Sequence, residues 1–541
     1  MEGSTDHVDR ISSLPDSILH HILSFVSLKQ AVRTSVLSKR WKETWHTCPI
    51  LVLNDHTHGY FGRVKEVLKC MEQTLLNRHM EMISIRKLVV SLSCFWNDPE
   101  FAALVNRCVC FAIGSNVKEL KLRFPFFWGG YNLPQIVFCA KSINVLELSG
   151  CKLSHPRISV QLYLRKLSLV DVYADDQMIR NLFSRCPLIE YLTIESSKGF
   201  KSLELFNLSK LHEVKVSNND ELDKVEIKAL NVHSVTIAEM ITCVIDVVSC
   251  ENLKCLLLVE LSITDDWLCN VIQHFLVLQF LSITNCHELK SISISSPSLK
   301  ELIISGSALV EVKLETPNLS IFKFKGHPIY FTSNAMALSK TDLYIYGYDG
   351  TQVLVKYIEL LANFNQCSEV LTLQSCTGEI AIIPSEWRQI LHPPLSGVKH
   401  LNLQIDGDLL DFTIPELMDS LLWLSPHTET ISMNFNLVYS HKYLFQFSYK
   451  KQLTHEGETP SCCQSCPVSC WQNCLKGVMI EHTVTSTGPP AYVDRFSFEK
   501  AALEKRTFVE RFYFHNKIWD KLNHLYLNLR NMYSYMFDGN I

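Results

Sequence analysis

Short bursts of alternating apolar and polar residues recur between about residue 86 and residue 440. KLVVS, ELKLR, VLELSGCKL, KLSLVDV and YLTIESS open the series, and DLYIYG, VLTLQSC, HLNLQID and TISMNFN close it. Their first apolar residues, from Leu88, Leu120, Leu146 and Leu167 to Leu343, Leu371, Leu401 and Ile431, are mostly 20 to 30 positions apart. Alternation with a period of two makes a strand with one buried face. A strand of three to five residues cannot hide that face alone, so it must stack on its neighbours. The expected product is an array with a parallel sheet on its concave side. A sandwich or barrel would place a turn every 8 to 12 residues with frequent Asn-Gly or Asp-Gly pairs; here the step is about twice that and such pairs are few.

Between some bursts the period lengthens to 3.6. In DQMIRNLFSRCPLIEYLTI (176–194), Met178, Ile179, Leu182 and Phe183 share one helical face, Asp175 or Asp176 is placed to cap the start, and Pro187 to stop it. DDWLCNVIQHFLVLQFLSI (265–283) reads the same way, and KYIELLANF, EWRQILHPPL and PELMDSLLWLSP predict fuller helices in the later repeats. The stretches from about 200 to 250 and 290 to 325 leave room for only a turn. The step and the Leu-x-Leu signature are those of a leucine-rich repeat. The fold class expected is α/β: a helical head, then a leucine-rich-repeat solenoid with helices and turns on its convex side.

The head is a different object. In LPDSILHHILSFVSLKQAVRTSVLSKRWKETW (14–45), Ser13 stands where a hydroxyl would cap a helix that opens on Leu14, Pro15 and Asp16. Ile18, Leu19, Ile22, Leu23 and Val26 follow at helical spacing, and a second segment, Gln30 to Trp45, carries Ala31, Val32, Ser35, Val36, Trp41 and Trp45 on overlapping faces, with Leu37 beside them. Two helices of this length can bury one apolar stripe between them, yet these are apolar nearly all round. The surplus either docks on the end of the array as a cap or meets another protein.

The quartet Asp9-Arg10-Ile11-Ser12, then Leu14-Pro15-Asp16, Ile22-Leu23-Ser24-Phe25 and Thr34 to Trp41 stand in the order and spacing of a plant F-box, which this stretch of about 35 residues resembles. With the repeats behind it, the chain is similar to the plant F-box/leucine-rich-repeat family. The resemblance implies that the head binds the Skp-type adaptor of a cullin-RING ubiquitin ligase, and through it cullin and the RING protein, while the repeats present a protein substrate. On the matching positions it implies an adaptor contact through Leu14, Pro15, Ile18, Ile22, Leu23, Val32, Leu37 and Trp41, with Leu14, Pro15 and Trp41 as the leading anchors. No catalytic residue and no cofactor is implied. A non-ligase scaffold whose head engages no cullin is the other reading.

Composition narrows the partners. The chain has 541 residues, 47% apolar and 20% charged, with a formal net charge of -4. That balance argues against nucleic acid, no apolar run is long enough to span a membrane, and the start MEGSTDHVDR lacks a signal-peptide core. The expected location is intracellular, nucleus or cytoplasm, where the 20 Cys stay reduced, as small buried residues at Cys151, Cys186, Cys286 and Cys376. Within CCQSCPVSCWQNCLK (462–476), Cys463, Cys466, Cys470 and Cys474 have half the pattern of a zinc site but no second pair to close it, and a catalytic thiol there would lack an assured base. No phosphate loop, nucleophile elbow or HExxH motif is present.

In a leucine-rich solenoid the residue between the two apolar strand positions faces the partner. Here those residues, from Lys121, Glu147 and Ser168 through Lys323 and Tyr344 to Asn402 and Ser432, share no single charge, which suggests a mixed protein surface rather than a strongly acidic or basic ligand. KFKGHPIYF (323–331) and LYIYGYDG (343–350) nominate Lys323, Tyr344, Tyr346 and Tyr348 as a substrate contact, unless these rings pack in the array. The boundaries expected are a head over 8–50, a helical linker or cap over 51–85, repeats over 86–440, a cysteine-rich irregular loop over 441–475, and a strand-and-helix cap with a tail over 476–541, the last faintly similar to a C-terminal extension in some family members.

Overall fold

The computed structural model describes residues 11, 13–26, 28–54, 73, 74, 76, 77, 85–92, 99–125, 130–154, 160–346, 351–375, 379–406, 414–437, 441–449, 475–484 and 506–512. They fall in two compact units, Met1–Ser262 and Ile263–Ile541.

The first unit opens with three helices, α1 (Asp16–Ser24), α2 (Leu28–Thr34) and α3 (Lys39–Thr47). The pattern from Gln30 to Trp45 predicts one helix; it breaks because Ser38 is extended and its hydroxyl accepts the Trp41 N–H at 3.1 Å, a cap that starts α3. The cap residue of α1 is Pro15, with no side-chain cap bond, so Ser13 does not take that role.

The alternation then becomes a ladder. Strands Ile50–Asn54, Lys87–Ser91, Glu119–Arg123, Val145–Ser149, Lys166–Val170, Tyr191–Glu195, Glu213–Ser217, Ser234–Met240 and Cys255–Leu261 pair in that order, all parallel. The stretch 51–85, expected to be helical, therefore begins as a strand: Leu51 and Leu53 alternate inward like every later pair. Register aligns Leu51, Leu88, Leu120, Leu146, Leu167, Leu192, Val214, Val235 and Leu256 in one fully buried column. Each apolar side chain taken from water here contributes about 1.5–3 kcal/mol, and a single strand could bury none of them.

Corners hold the strands in step. Gly150, Asp171, Ser196 and Asn218 all have positive φ, between 50° and 66°. Each donates its N–H to a carbonyl of the next strand, that of Val170, Glu195, Ser217 and Ala238 respectively. Asp and Asn tolerate this backbone, but Gly150 is required: a Cβ would lie 1.9 Å from the Phe124 carbonyl oxygen. Beside the corners, buried Asn219 accepts the Ser197 N–H at 2.8 Å and donates to the Ser217 carbonyl at 2.7 Å, adding a second donor to a carbonyl that already accepts the Ser196 N–H.

Where the pattern from 200 to 250 leaves room for a turn, the structure has a second parallel sheet of short strands, Ser202–Phe206, Lys224–Lys228 and Val244–Asp246. SLELF and KVEIK alternate as strictly as the first-sheet strands; their short spacing hid them among turns. The helix Asp176–Ser184 is as its period requires. Met178, Ile179, Leu182 and Phe183 are buried, and the Asp175 carboxylate caps it by accepting the Met178 N–H at 2.7 Å. Asp176 instead accepts the N–H groups of Lys201 and Ser202, pinning the start of a second-sheet strand.

The second unit repeats the scheme. Strands Phe280–Thr284, Glu301–Ser305, Ile321–Gly326, Lys340–Ile345, Val370–Ser375, His400–Ile405 and Thr430–Leu437 pair in parallel, and Ser291–Ser295, Glu311–Glu315 and Tyr330–Ser333 form the second sheet. Thr264 caps the helix Asp265–Ile272, and Asp265 accepts from the Lys290 and Ser291 N–H groups, as Asp176 does in the first unit. Where the sequence predicts an irregular loop from 441, His441–Tyr449 is a strand, antiparallel to Thr430–Leu437 and followed by antiparallel Leu475–Val484 and Arg506–Phe512. The alternation in YLFQFSY buries Phe445 and Phe447, which turns that segment from loop into sheet. Among the described residues, no helix is long and apolar enough to cross a membrane.

Candidate functional sites: the helical head and the open face of the repeats

The head divides its apolar residues between two jobs. Leu19, Leu23, Ala31 and Trp41 form its core, with Leu14, Val26 and Trp45 packed against them. On α1 the stripe Leu19, Leu23 and Val26 turns inward. The adjacent stripe Ile18, Ile22 and Phe25, one residue earlier at each step, turns out, with Phe25 77% exposed. The turn between α2 and α3 adds Val36 and Leu37, 84% and 73% exposed. Arg40 fixes the opening corner: its guanidinium donates to the Leu14 carbonyl at 2.7 Å and to the Asp16 carboxylate at 3.2 Å.

Trp41, a leading anchor by residue type, is thus only 8% exposed and belongs to the head's own core, as does Leu23. Leu14 is partly buried, while Pro15, Ile18, Ile22 and Leu37 lie open. Val32 sits on α2, with its side chain outside the described residues. Phe25 and Val36 are open apolar residues missing from the adaptor set drawn from the motif. Their signal was the one-residue offset between the two stripes of α1 and the Ser38 cap that ends the α2 turn.

Two matches bear directly on this arrangement. The F-box domain family covers residues 11–53, the three helices and the first strand, and the family described as At1g61320/AtMIF1, LRR domain, covers 75–247 and 240–482. The chain belongs to the plant F-box/leucine-rich-repeat family. Among curated proteins of Arabidopsis thaliana, F-box/LRR-repeat protein 25 is 30% identical over 230 residues, 42% of this chain and 84% of that protein. F-box/LRR-repeat protein At5g02910 is 31% identical over 229 residues, 40% of this chain and 45% of the relative. Putative F-box/LRR-repeat protein At5g02930 is 34% identical over 204 residues, 38% and 40%. The chain spans less than half the length of these last two. Proteins of this family act in general as adaptors without a catalytic centre of their own.

The family's repeats expose one side of the first sheet, and there the structure sorts the expected substrate contacts. Lys323 is on that side, paired to Glu301 at 3.2 Å. Tyr344 is displaced from its expected place: Thr341, not Leu343, stands in the first buried column, so Asp342 lies opposite Lys323 and Tyr344 opposite Lys325. A slip of two residues leaves every side chain on the same face, and a threonine in a core position disguised it. Tyr344 packs edge-on to Tyr346 at 5.9 Å, His327 meets Tyr346 at 5.2 Å, and the Lys325 ammonium sits 4.7 Å from the Tyr344 ring centre. The neighbouring Phe322, Phe324 and Phe331 are buried, so the aromatic patch splits into a core half and a surface half. Tyr348 lies outside the described residues, as do Cys463, Cys466, Cys470 and Cys474.

In the first unit Glu147 gathers three cations, Lys121 at 2.9 Å, Lys166 at 3.0 Å and Arg123 at 3.3 Å. Burial pushes its carboxyl up, but hydrogen bonds and attraction from Lys121 and Lys166 outweigh that and hold it down at about 2. The ordinary value of 4.5 applies to the unfolded chain. A folded value below the unfolded one means that this cluster stabilises fully above pH 4.5 and is lost as the pH falls toward 2. Glu147→Gln is expected to cost about 1–2 kcal/mol at pH 7, since solvent screens part of the attraction, and much less at pH 3. Urea midpoints at the two pH values check it.

The buried cysteines take no part. Cys108 and Cys186 are pushed up to about 12 by burial and Cys151 is raised further, so these thiols stay protonated and unreactive. Cys286 is also buried, its thiol donating to the Thr284 carbonyl at 3.7 Å, whereas Cys376 is outside the described residues. No cluster of metal-ligating side chains occurs among the described residues.

Proposed function

We propose that this protein is the substrate-recognition subunit of an SCF-type ubiquitin ligase. Its head binds the Skp-type adaptor, which links it to cullin and the RING protein, and the repeats hold a protein target for ubiquitination and degradation. The observation that carries the reading is the apolar surface left over once the head has closed its own core. Ile18, Ile22, Phe25, Val36 and Leu37 stay in water, and each would contribute about 1.5–3 kcal/mol if fully covered by a partner. The mechanism asks no chemistry of this chain. Holding a target beside a ubiquitin-charged enzyme raises the effective concentration of its lysines and orients them.

Co-purification from plant cells tests the reading. Stoichiometric recovery of the adaptor together with cullin is expected. A head that returns neither, or adaptor alone without cullin, supports instead a scaffold that binds a partner without delivering it to a ligase.

A further inference from the structure

We infer that the row of residues just ahead of the first-sheet strands in the first unit is a docking site for an acidic segment of a protein partner. The inference rests on the proposed function for its biological meaning, because it describes the chemistry of the target.

Backbone register builds the row. The Arg86 carbonyl accepts from Lys118 and Glu119, the Lys118 carbonyl from Asn144 and Val145, and the Asn144 carbonyl from Arg165 and Lys166. Arg86, Lys118, Asn144 and Arg165 are therefore stacked one repeat apart, about 4.8 Å per step. Sequence separations of 21 to 32 positions conceal this neighbourhood, which is why the residues between the strand leucines, taken alone, suggested no charge preference. The row lines a cleft of about 570 Å³ together with Ser115 and Glu119. In a chain of net charge -4 it concentrates three cations.

Local acids take up only one of these cations, Arg165. Glu119 is held by Lys87 at 3.1 Å and Glu190 by Arg165 at 3.2 Å. Arg86 and Lys118 have no ion pair among the described residues, and both are exposed. Arg86 and Lys118 stand about 4.8 Å apart at the backbone on long, flexible side chains, which can spread to take two carboxylates about 7 Å apart on one side of an extended segment. Phosphate is the poorer fit. Phosphate sites of the helix-terminus and nest kinds draw on free backbone N–H groups, and here the N–H groups of Lys118, Asn144 and Arg165 are all spent on the ladder.

Fluorescence anisotropy of labelled octaglutamate with the full chain, measured with and without the Skp-type adaptor, tests the site. Binding is expected to weaken as salt rises, and Arg86→Ala with Lys118→Ala should weaken it about tenfold without lowering the thermal midpoint. Lys313→Ala, in the second unit, should leave it unchanged. Arg86→Glu with Lys118→Glu should exchange octaglutamate for octalysine. Equal binding by wild type and the double alanine variant overturns the inference, as does wild-type binding of tripolyphosphate or oligouridylate in preference to octaglutamate. Loss of peptide binding alone speaks to this site, and loss of adaptor alone speaks to the ligase reading, so the two can fail separately.

Discussion

Serine at Ile22, Val36 and Leu37 together should reduce recovery of the Skp-type adaptor by about a hundredfold or more, with the thermal midpoint of the chain unchanged or slightly raised. The three side chains are exposed and make no part of the head's core, so the free chain loses nothing when they become polar. A complex that buries them loses about 1 kcal/mol or more at each, and every 1.4 kcal/mol is tenfold in affinity. Quantitative pull-down with purified adaptor, beside a melting curve of the same sample, measures both quantities. Undiminished recovery would remove the adaptor from this face. Leu14→Ala with Pro15→Ala, the change the motif alone suggests, is a less clean experiment, because Leu14 packs on the core and its carbonyl holds Arg40.

Trp41→Ala is expected to do the opposite. It should cost about 3–5 kcal/mol of head stability by opening a cavity among Leu19, Leu23 and Ala31. A head of three short helices has no reserve of that size, so it should unfold locally while the repeat ladder stays protected. Hydrogen exchange read by segment separates the outcomes: fast exchange confined to about residues 16–47, with slow exchange retained in strands such as Leu167–Leu169. Adaptor recovery falls here too, and the exchange pattern shows that the cause is loss of the head rather than loss of an anchor.

Much of this architecture was written in periodicity. The Leu-x-Leu bursts became buried columns, and Met178, Ile179, Leu182 and Phe183 became one helix face, because a period of 2 or 3.6 is a local property. What escaped was decided by the position of single residues in three dimensions. The Ser38 hydroxyl divided one apparent helix into two, Thr341 took a core place that only a pairing register could reveal, and SLELF and KVEIK lay too close to their neighbours to be separated from turns. The head showed the same division. The sequence marked it as too greasy for its size, but only packing told Trp41 from Leu37.

The left-handed corners also decide where this chain can change its length. From Asp171 to Ser196 the path behind the first sheet holds a nine-residue helix, and from Asn218 to Glu239 only a short strand, yet both detours end at a corner of the same handedness. Material gained or lost on the rear is absorbed before the next corner, leaving the side chains on the open face of the first sheet in register. The scaffold can thus be thickened or thinned and its open face rewritten as independent edits.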